Sequence, residues 1–259
     1  MVNIPPSLNK FLASSPSDSV LPGYSILGLK GPDAVAFAQA QFMNDVALLD
    51  VMQWQWNGWL STKGRVIALF LLLRVAEDEL LIVSPDMPAA ELGRRLIGYV
   101  LRNRVQLGVW SELECVGRFG TSTVAAQQIA GDWNARQLEL NLATALVPRS
   151  LHLRPRAETA VTEGASAWAM ASLLGGIPSL HGEQIERWTP HQLSLQLLHA
   201  VSVKKGCYPG QEIVARTHFL GKNKRQLTLL SDIALTQADP ATLVCSAQFG
   251  DDQAGLAVL

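Results

Sequence analysis

Cysteine is scarce in this chain: Cys115, Cys207 and Cys245 are the three among 259 residues. An odd count with no Cys-x-x-Cys speaks against both a secreted disulfide framework and a self-contained zinc knuckle. Long apolar runs are lacking as well. The longest strongly apolar stretch, Val66 to Leu73, is far short of the ~20 residues that span a bilayer. The first residues, "MVNIPPSLNKFLASSPSDSVLPG", have no basic end followed by an apolar run, so no signal peptide is read there. The five histidines show no i, i+4 pair and no ligand spacing, so no metal is assigned. An excess of one charge is lacking too: 21 Lys and Arg stand against 22 Asp and Glu, a net −1 at pH 7. The chain as a whole therefore makes no electrostatic case for a membrane or a nucleic acid, and only a local patch can make one. The expectation is a cytoplasmic protein in a reducing compartment, with no membrane partner and with direct nucleic-acid binding disfavoured.

What is present is a core. Hydrophobic residues make up 48% of the chain and charged residues 17%, which suits a folded protein with a large buried interior. Residues 1–22 carry Pro, Ser and Asn without periodicity and read as a loose arm. Tyr24 to Leu29 reads as a strand, and Gly31-Pro32-Asp33 opens a helix with Pro and Asp where a first turn prefers them. From Trp54 the pattern alternates: "WQWNGWL", a turn at "STKG", "RVIALFLLLRV", a turn at "AEDE", then "LLIVS". That is an antiparallel meander whose middle strand is apolar on both faces and so should be covered. "MPAAELGRRLIGYVLRNRV" follows as an amphipathic helix. Later, "SLHLRPRAE" suggests a strand, "SAWAMASLL" a helix closed by Gly175 and Gly176, and "TPHQLSLQLLHAVSV" a helix capped by Thr189. "RQLTLL", "ATLVCS" and "QAGLAVL" read as short strands. A weak repeat pairs "GLKGPDAVAFAQ" at Gly28 with "GRFGTSTVAAQQ" at Gly117, each copy expected as a strand, a glycine turn and a helix start.

The densest chemistry lies in "VSVKKGCYPGQEIVARTHFLGKNKR", Val201 to Arg225. Cys207 sits between Lys204-Lys205 and a glycine-bounded turn. Free cysteines are mostly buried apolar residues, but an adjacent ammonium can stabilise a thiolate. Gly206 and Gly210 allow close approach of backbone to a ligand. Gln211 and Glu212 can hold a ligand's amide edge, or Glu212 can pair with Lys205. Six basic residues, Lys204, Lys205, Arg216, Lys222, Lys224 and Arg225, face one acid, Glu212, in this segment. A solvated basic face is the ordinary reading. The sharper one is a dock for an anionic ligand tail, with Lys204, Arg216 and Lys222 as candidates. RNA is weaker, because only Tyr208 and Phe219 interleave. Trp168 stands among small residues, "ASAWAMAS", as an anchor or a stacking plate.

At "KKGCYPGQEIVAR" the chain resembles the YgfZ-type folate-binding proteins, a branch of the family that includes the glycine-cleavage T-protein, an aminomethyltransferase. Lys205, Gly206, Cys207, Tyr208, Gly210, Gln211 and Glu212 carry the branch's signature. "GPDAVAFAQAQFMNDV", "STKGRV", "GGIP" with "TPHQLSLQ", and "HFLGKNKRQL" support it. The resemblance implies an α+β fold: a ring of two α/β subdomains, each an antiparallel sheet with helices, and a short C-terminal β-barrel-like subdomain. The boundaries it implies are 23–50 with 150–222 for the subdomain carrying the motif, 51–149 for the second, and 223–259 for the third. It implies tetrahydrofolate or a derivative as ligand, and a role in iron–sulfur cluster assembly or maintenance that indirectly supports tRNA modification. The implied partners are folate and iron–sulfur client or assembly proteins. Two aromatic positions associated with folate match Tyr24, where the branch has tryptophan, and Trp168. The aminomethyltransferases carry an acidic pair in the stretch matching "GRVIALFL"; here Ala68 and Leu69 stand in its place. That argues against a one-carbon transferase, the first alternative. An RNA-binding module using 204–225 is the second. No catalytic residue is assigned.

Overall fold

The computed structural model describes residues 3–14, 18–158, 161–221 and 225–259. In chain order its elements are α1 (Pro6–Ala13), β1 (Ser19–Val20), β2 (Ser25–Lys30), α2 (Ala34–Gln41), β3 (Gln53–Leu60), β4 (Val66–Ala76), β5 (Glu79–Ser84), α3 (Ala89–Leu96) and β6 (Gln106–Val109). There follow β7 (Leu113–Phe119), β8 (Ile129–Asp132), β9 (Gln137–Asn141), β10 (Arg149–Pro155), α4 (Ala165–Leu174) and α5 (Gln211–Leu220). The last are β11 (Leu227–Ser231), α6 (Asp232–Thr236), β12 (Leu243–Phe249) and β13 (Asp252–Val258). The fold is α+β, with antiparallel sheets, as expected. The C-terminal strands form an open three-stranded sheet in the order β11-β13-β12, not a closed barrel.

The chain divides into two compact units. One, called here the motif unit, is Gly23–Ser111 with Leu180–Lys224; the companion unit is Met1–Pro22, Glu112–Ser179 and Arg225–Leu259. This corrects the expected boundaries. A cut between residues 50 and 51 would fall inside one sheet, because β2 pairs with β5 from Ser25 opposite Ser84 to Lys30 opposite Glu79. Cutting that ladder would strand buried backbone donors and acceptors.

In the motif unit the sheet order is β3-β4-β5-β2-β6. The meander forms as its alternation dictates, and β4 is buried along its apolar run from Val66 to Leu73. Phe70 and Leu72 of β4 pack with Phe37 and Ala38 of α2 and Leu92 and Leu96 of α3. The helix expected to run on through "LRNRV" stops at Leu96, continues as a 3-10 turn over Ile97–Tyr99, and reaches Leu101 with φ 43°. Gly98 lies in that run, and a mid-helix glycine costs about 1 kcal/mol against alanine. The helix expected after Thr189 is also corrected. Its cap forms: the Gln192 N–H donates to Thr189 Oγ1 at 3.3 Å, and the Thr189 N–H donates to Gln192 Oε1 at 3.0 Å. This is a reciprocal capping box. Beyond it Ser194 and His199 both take φ 52°, and left-handed residues turn the chain instead of extending a helix.

In the companion unit the five-stranded sheet runs β1-β7-β10-β9-β8. Helix α4 packs Met170 and Ala171 against Ala254 and Leu256 of β13 and Leu8 of α1. The loose N-terminal arm is therefore a correction too. Leu8 is fully buried, Phe11 lies edge-on to Phe119 and Phe249, and β1 pairs with β7. Leu8, Phe11 and Leu12 form a short apolar stripe that the Pro- and Ser-rich flanks conceal. The repeat holds for its first two parts only. Gly31 and Gly120 end their strands at φ 141° and 132°, yet α2 follows the first while irregular chain follows the second.

Candidate functional site

The signature segment lies in the motif unit, on a turn that enters α5. Gly210 is the N-cap of α5 with φ 78°, a conformation open to glycine and costly to other residues. A Cβ there would lie 2.6 Å from the Ser61 carbonyl oxygen and 2.7 Å from Gly64 Cα. Gly64, with φ 68°, would in turn press a Cβ to 2.7 Å from Ile213. The "STKG" turn and the "YPGQE" turn thus meet glycine to glycine, although about 145 residues separate them in the chain.

Lys205 is buried, with 5% of its surface exposed. Its Nζ donates to the carbonyl oxygens of Gln39 at 2.6 Å, Phe42 at 2.5 Å and Asn44 at 3.0 Å. An ammonium has three N–H donors, and all three are taken. These acceptors lie at the C-terminal end of α2, where carbonyls point out without intrahelical partners and positive charge is favoured. Burial lowers the Lys205 pKa to about 8, with Asp45 acting the other way. Lys205 therefore docks the loop onto α2. It is not spent on the Cys207 thiol or on Glu212, the two partners read from the sequence.

The rest of the segment braces that dock. The Gln211 side-chain amide donates to the Lys205 carbonyl at 3.2 Å, and the Tyr208 hydroxyl donates to the Ser202 carbonyl at 3.2 Å. The Tyr208 ring lies under the Lys205 ammonium at 5.0 Å, and burial pushes its hydroxyl up to about 12. Ser202 Oγ accepts the N–H groups of Lys204 and Lys205. On this frame Gly206 and Cys207 are exposed, and nothing lies within 4 Å of a Cβ built at Gly206. Lys204, Glu212 and Arg216 are exposed as well. Lys222 lies outside the described residues. Tyr24 is half-buried just before β2.

Cys115 is buried, and burial raises its thiol to about 12. Cys245 is partly buried and accepts the Ser179 N–H at 3.5 Å. Cys207 is thus the exposed thiol of the three. Trp168, in the companion unit, is 2% exposed. The Arg149 guanidinium stands 4.4 Å from its ring centroid, Phe119 is edge-on to it, and Gly117 leaves room for the ring. That is the geometry of an anchor. Ala68 and Leu69 are 3% and 1% exposed in β4; they are core residues and bring no carboxylate.

The residues that sequence reading missed are backbone acceptors and a loop brace: the Gln39, Phe42 and Asn44 carbonyls, and Ser202. Carbonyls leave no mark in a sequence. Ser202 had a faint one, a hydroxyl two residues before a lysine pair. Among the described residues no group of three or more His, Cys, Asp or Glu is placed to hold a metal, and no helix is long and apolar enough to cross a membrane.

No family model matches the chain. It is 27% identical over 251 residues to the tRNA-modifying protein YgfZ of Vibrio vulnificus, covering 90% of this chain and 76% of that protein. It is 26% identical over 246 residues to the protein of the same name from Colwellia psychrerythraea, covering 88% and 75%. Its structure superposes on the glycine cleavage system aminomethyltransferase T from Bartonella henselae with a TM-score of 0.70 at 15% identity, covering 100% of this chain and 82% of that one. The chain is similar in sequence to the YgfZ proteins, and its fold is that of the glycine-cleavage aminomethyltransferase.

Proposed function

We propose that this chain is a cytoplasmic folate-binding protein that supports tRNA modification by assisting iron–sulfur cluster assembly or maintenance. The observation that carries the reading is the construction of the signature loop. Lys205, Tyr208, Gly210 and Gln211 are committed to holding it, and what they hold out is an exposed Cys207. The similarity to proteins named for tRNA modification supports the setting.

The residues present fit a folate in kind. Exposed Glu212, in the first turn of α5, can accept the paired N–H groups of a pterin's amino-pyrimidine edge, as a carboxylate accepts two donors. Lys204 and Arg216 are exposed cations suited to a glutamate tail, and Tyr24 offers an aromatic face. Trp168, matched to a folate position by the resemblance, is enclosed within the companion unit, where its ring is an anchor rather than an open stacking plate. Tetrahydrofolate, when bound, supplies a carrier for one-carbon units. The transferase alternative is disfavoured by Ala68 and Leu69, since a positioned acid–base group typically contributes ~10²–10⁴-fold and these positions hold none.

Titration with tetrahydrofolate, followed by calorimetry and tryptophan fluorescence, tests the reading. Saturable binding that weakens in Glu212→Gln supports it; no binding to the folded wild type overturns it. Cys207→Ser should keep folate binding yet fail to restore a cluster-dependent tRNA modification in cells lacking the protein. Full restoration would remove the thiol from the account.

A further inference from the structure

The companion unit holds a cavity of about 310 Å³ on one face of its five-stranded sheet. Strand alternation builds it. Leu151 and Leu153 of β10 are buried; His152 and Arg154, which alternate with them, bring their polar side chains to the cavity wall, which Leu153 also borders. Arg118 of β7 lies opposite Ser150, and Glu139 of β9 lies opposite His152, so all belong to one polar face. The volume is at the small end of ligand sites, which run roughly 300–1,000 Å³.

The charges in this cavity are unevenly satisfied. Asp18 accepts two hydrogen bonds from Arg118, at 2.8 and 2.7 Å, and the pair is neutral as a unit. Arg154 gives its Nε to the buried Glu114 at 2.9 Å. A guanidinium has five N–H donors, so Arg154, 40% exposed, keeps donors for a second anion. The Glu139 carboxylate accepts the Ser122 hydroxyl at 2.7 Å and has no ion-pair partner among the described residues. His152 shares a hydrogen bond with Ser150 Oγ at 2.9 Å, and burial followed by Arg118 holds it below its ordinary pKa, so it adds no charge near neutrality. Arg154 is the diagonal neighbour of Glu139 across the strands, a Cα separation of about 7–8 Å. A free anion would meet Glu139 and Asp18, and a free cation would meet two guanidiniums. A molecule carrying both charges a few ångströms apart meets neither objection.

We propose that this cavity binds a small α-amino acid as the zwitterion, its ammonium on Glu139 and its carboxylate on Arg154. The test is calorimetry on the full chain with the twenty common amino acids in turn, with ethylammonium and acetate as single-charge controls. At least one amino acid should bind at about 1 mM or below, and each control about tenfold more weakly. Glu139→Gln keeps the Ser122 acceptor and should weaken binding about tenfold or more while the thermal midpoint stays near wild type. Arg154→Gln should do the same, but it strands the buried Glu114, so Glu139→Gln decides. Cys207→Ser should bind as wild type. Absence of binding by all twenty, unchanged binding in folded Glu139→Gln, or acetate binding as tightly as the best amino acid would each overturn the assignment.

Discussion

Gly28 and Gly117 occupy matching places in the two units and do the same work: each lacks a side chain where an indole passes, Trp110 in one case and Trp168 in the other. Three residues on, Gly31 and Gly120 turn the chain with similar positive φ. From there the units part. After Gly31 comes α2, whose C-terminal carbonyls receive Lys205 and so position the signature loop. After Gly120 no helix follows, and the companion unit keeps a polar sheet face with a cavity. The difference teaches that glycine spacing fixes a strand end and a ring's seat. The next element decides what can be built there.

The largest expected effect comes from breaking the glycine-to-glycine junction of the motif unit. Gly210→Val places a branched side chain at φ 78° within 2.6 Å of a backbone oxygen. The left-handed penalty alone is ~1–2 kcal/mol, and the overlap should bring the loss to ~3 kcal/mol or more. Denaturant midpoints measure it. Gly206→Ala, in open space on the same loop, should stay within ~0.5 kcal/mol. Equal losses would mean that the loop is not seated as described.

Next is Lys205→Met. It leaves three carbonyls at the end of α2 without their donor and should cost ~3 kcal/mol, since bonds to charged groups are worth ~1.5–3 kcal/mol each and share one partner here. Lys204→Met, at an exposed position, should change the midpoint little. A smaller loss for Lys205→Met than for Lys204→Met would show that the ammonium does not hold the loop.

Gly28→Ala and Gly117→Ala sharpen the comparison directly. Each methyl must displace a ring, and overpacking costs ~1–3 kcal/mol. Both variants should lose stability by similar amounts, with a shift in tryptophan emission. A loss confined to one of them would make the repeat a coincidence of letters.

The smallest effect is a pH dependence. Burial, aided by Arg118, holds His152 below its ordinary 6.5; burial and His218 do the same to His191. The unfolded chain then binds protons that the folded chain does not, so stability rises with pH across that window. This contribution is fully present above pH 6.5 and is lost as pH falls through the folded values. Thermal midpoints should decline from pH 7 towards 5, and His152→Gln should make the decline shallower. An unchanged slope would remove His152 from the account.

The sequence made the meander, β4's double burial, α4 with its glycine stop and the strand at "SLHLRP" legible, because each rests on local periodicity or on a turn residue. The core role of Ala68 and Leu69 followed from the same run. The unit boundaries were not legible, because the pairing of β2 with β5 crosses the expected cut and register between distant strands leaves no local sign. The N-terminal helix was hidden by its flanks. At the signature segment the sequence identified Lys205 and Gln211 but not their task, since their partners are main-chain oxygens that every residue carries. It also gave no hint that "STKG" and "YPGQE" touch.

The central claim is that the signature loop exists to present Cys207 at a folate site. Alkylation of the native protein near neutral pH, read by peptide mass spectrometry with and without tetrahydrofolate, tests it most directly. The account predicts that Cys207 is modified first, that Cys115 reacts only on unfolding, and that tetrahydrofolate slows the modification of Cys207 in proportion to its occupancy. Modification of Cys115 or Cys245 as fast as Cys207, or a Cys207 rate indifferent to saturating tetrahydrofolate, would contradict it.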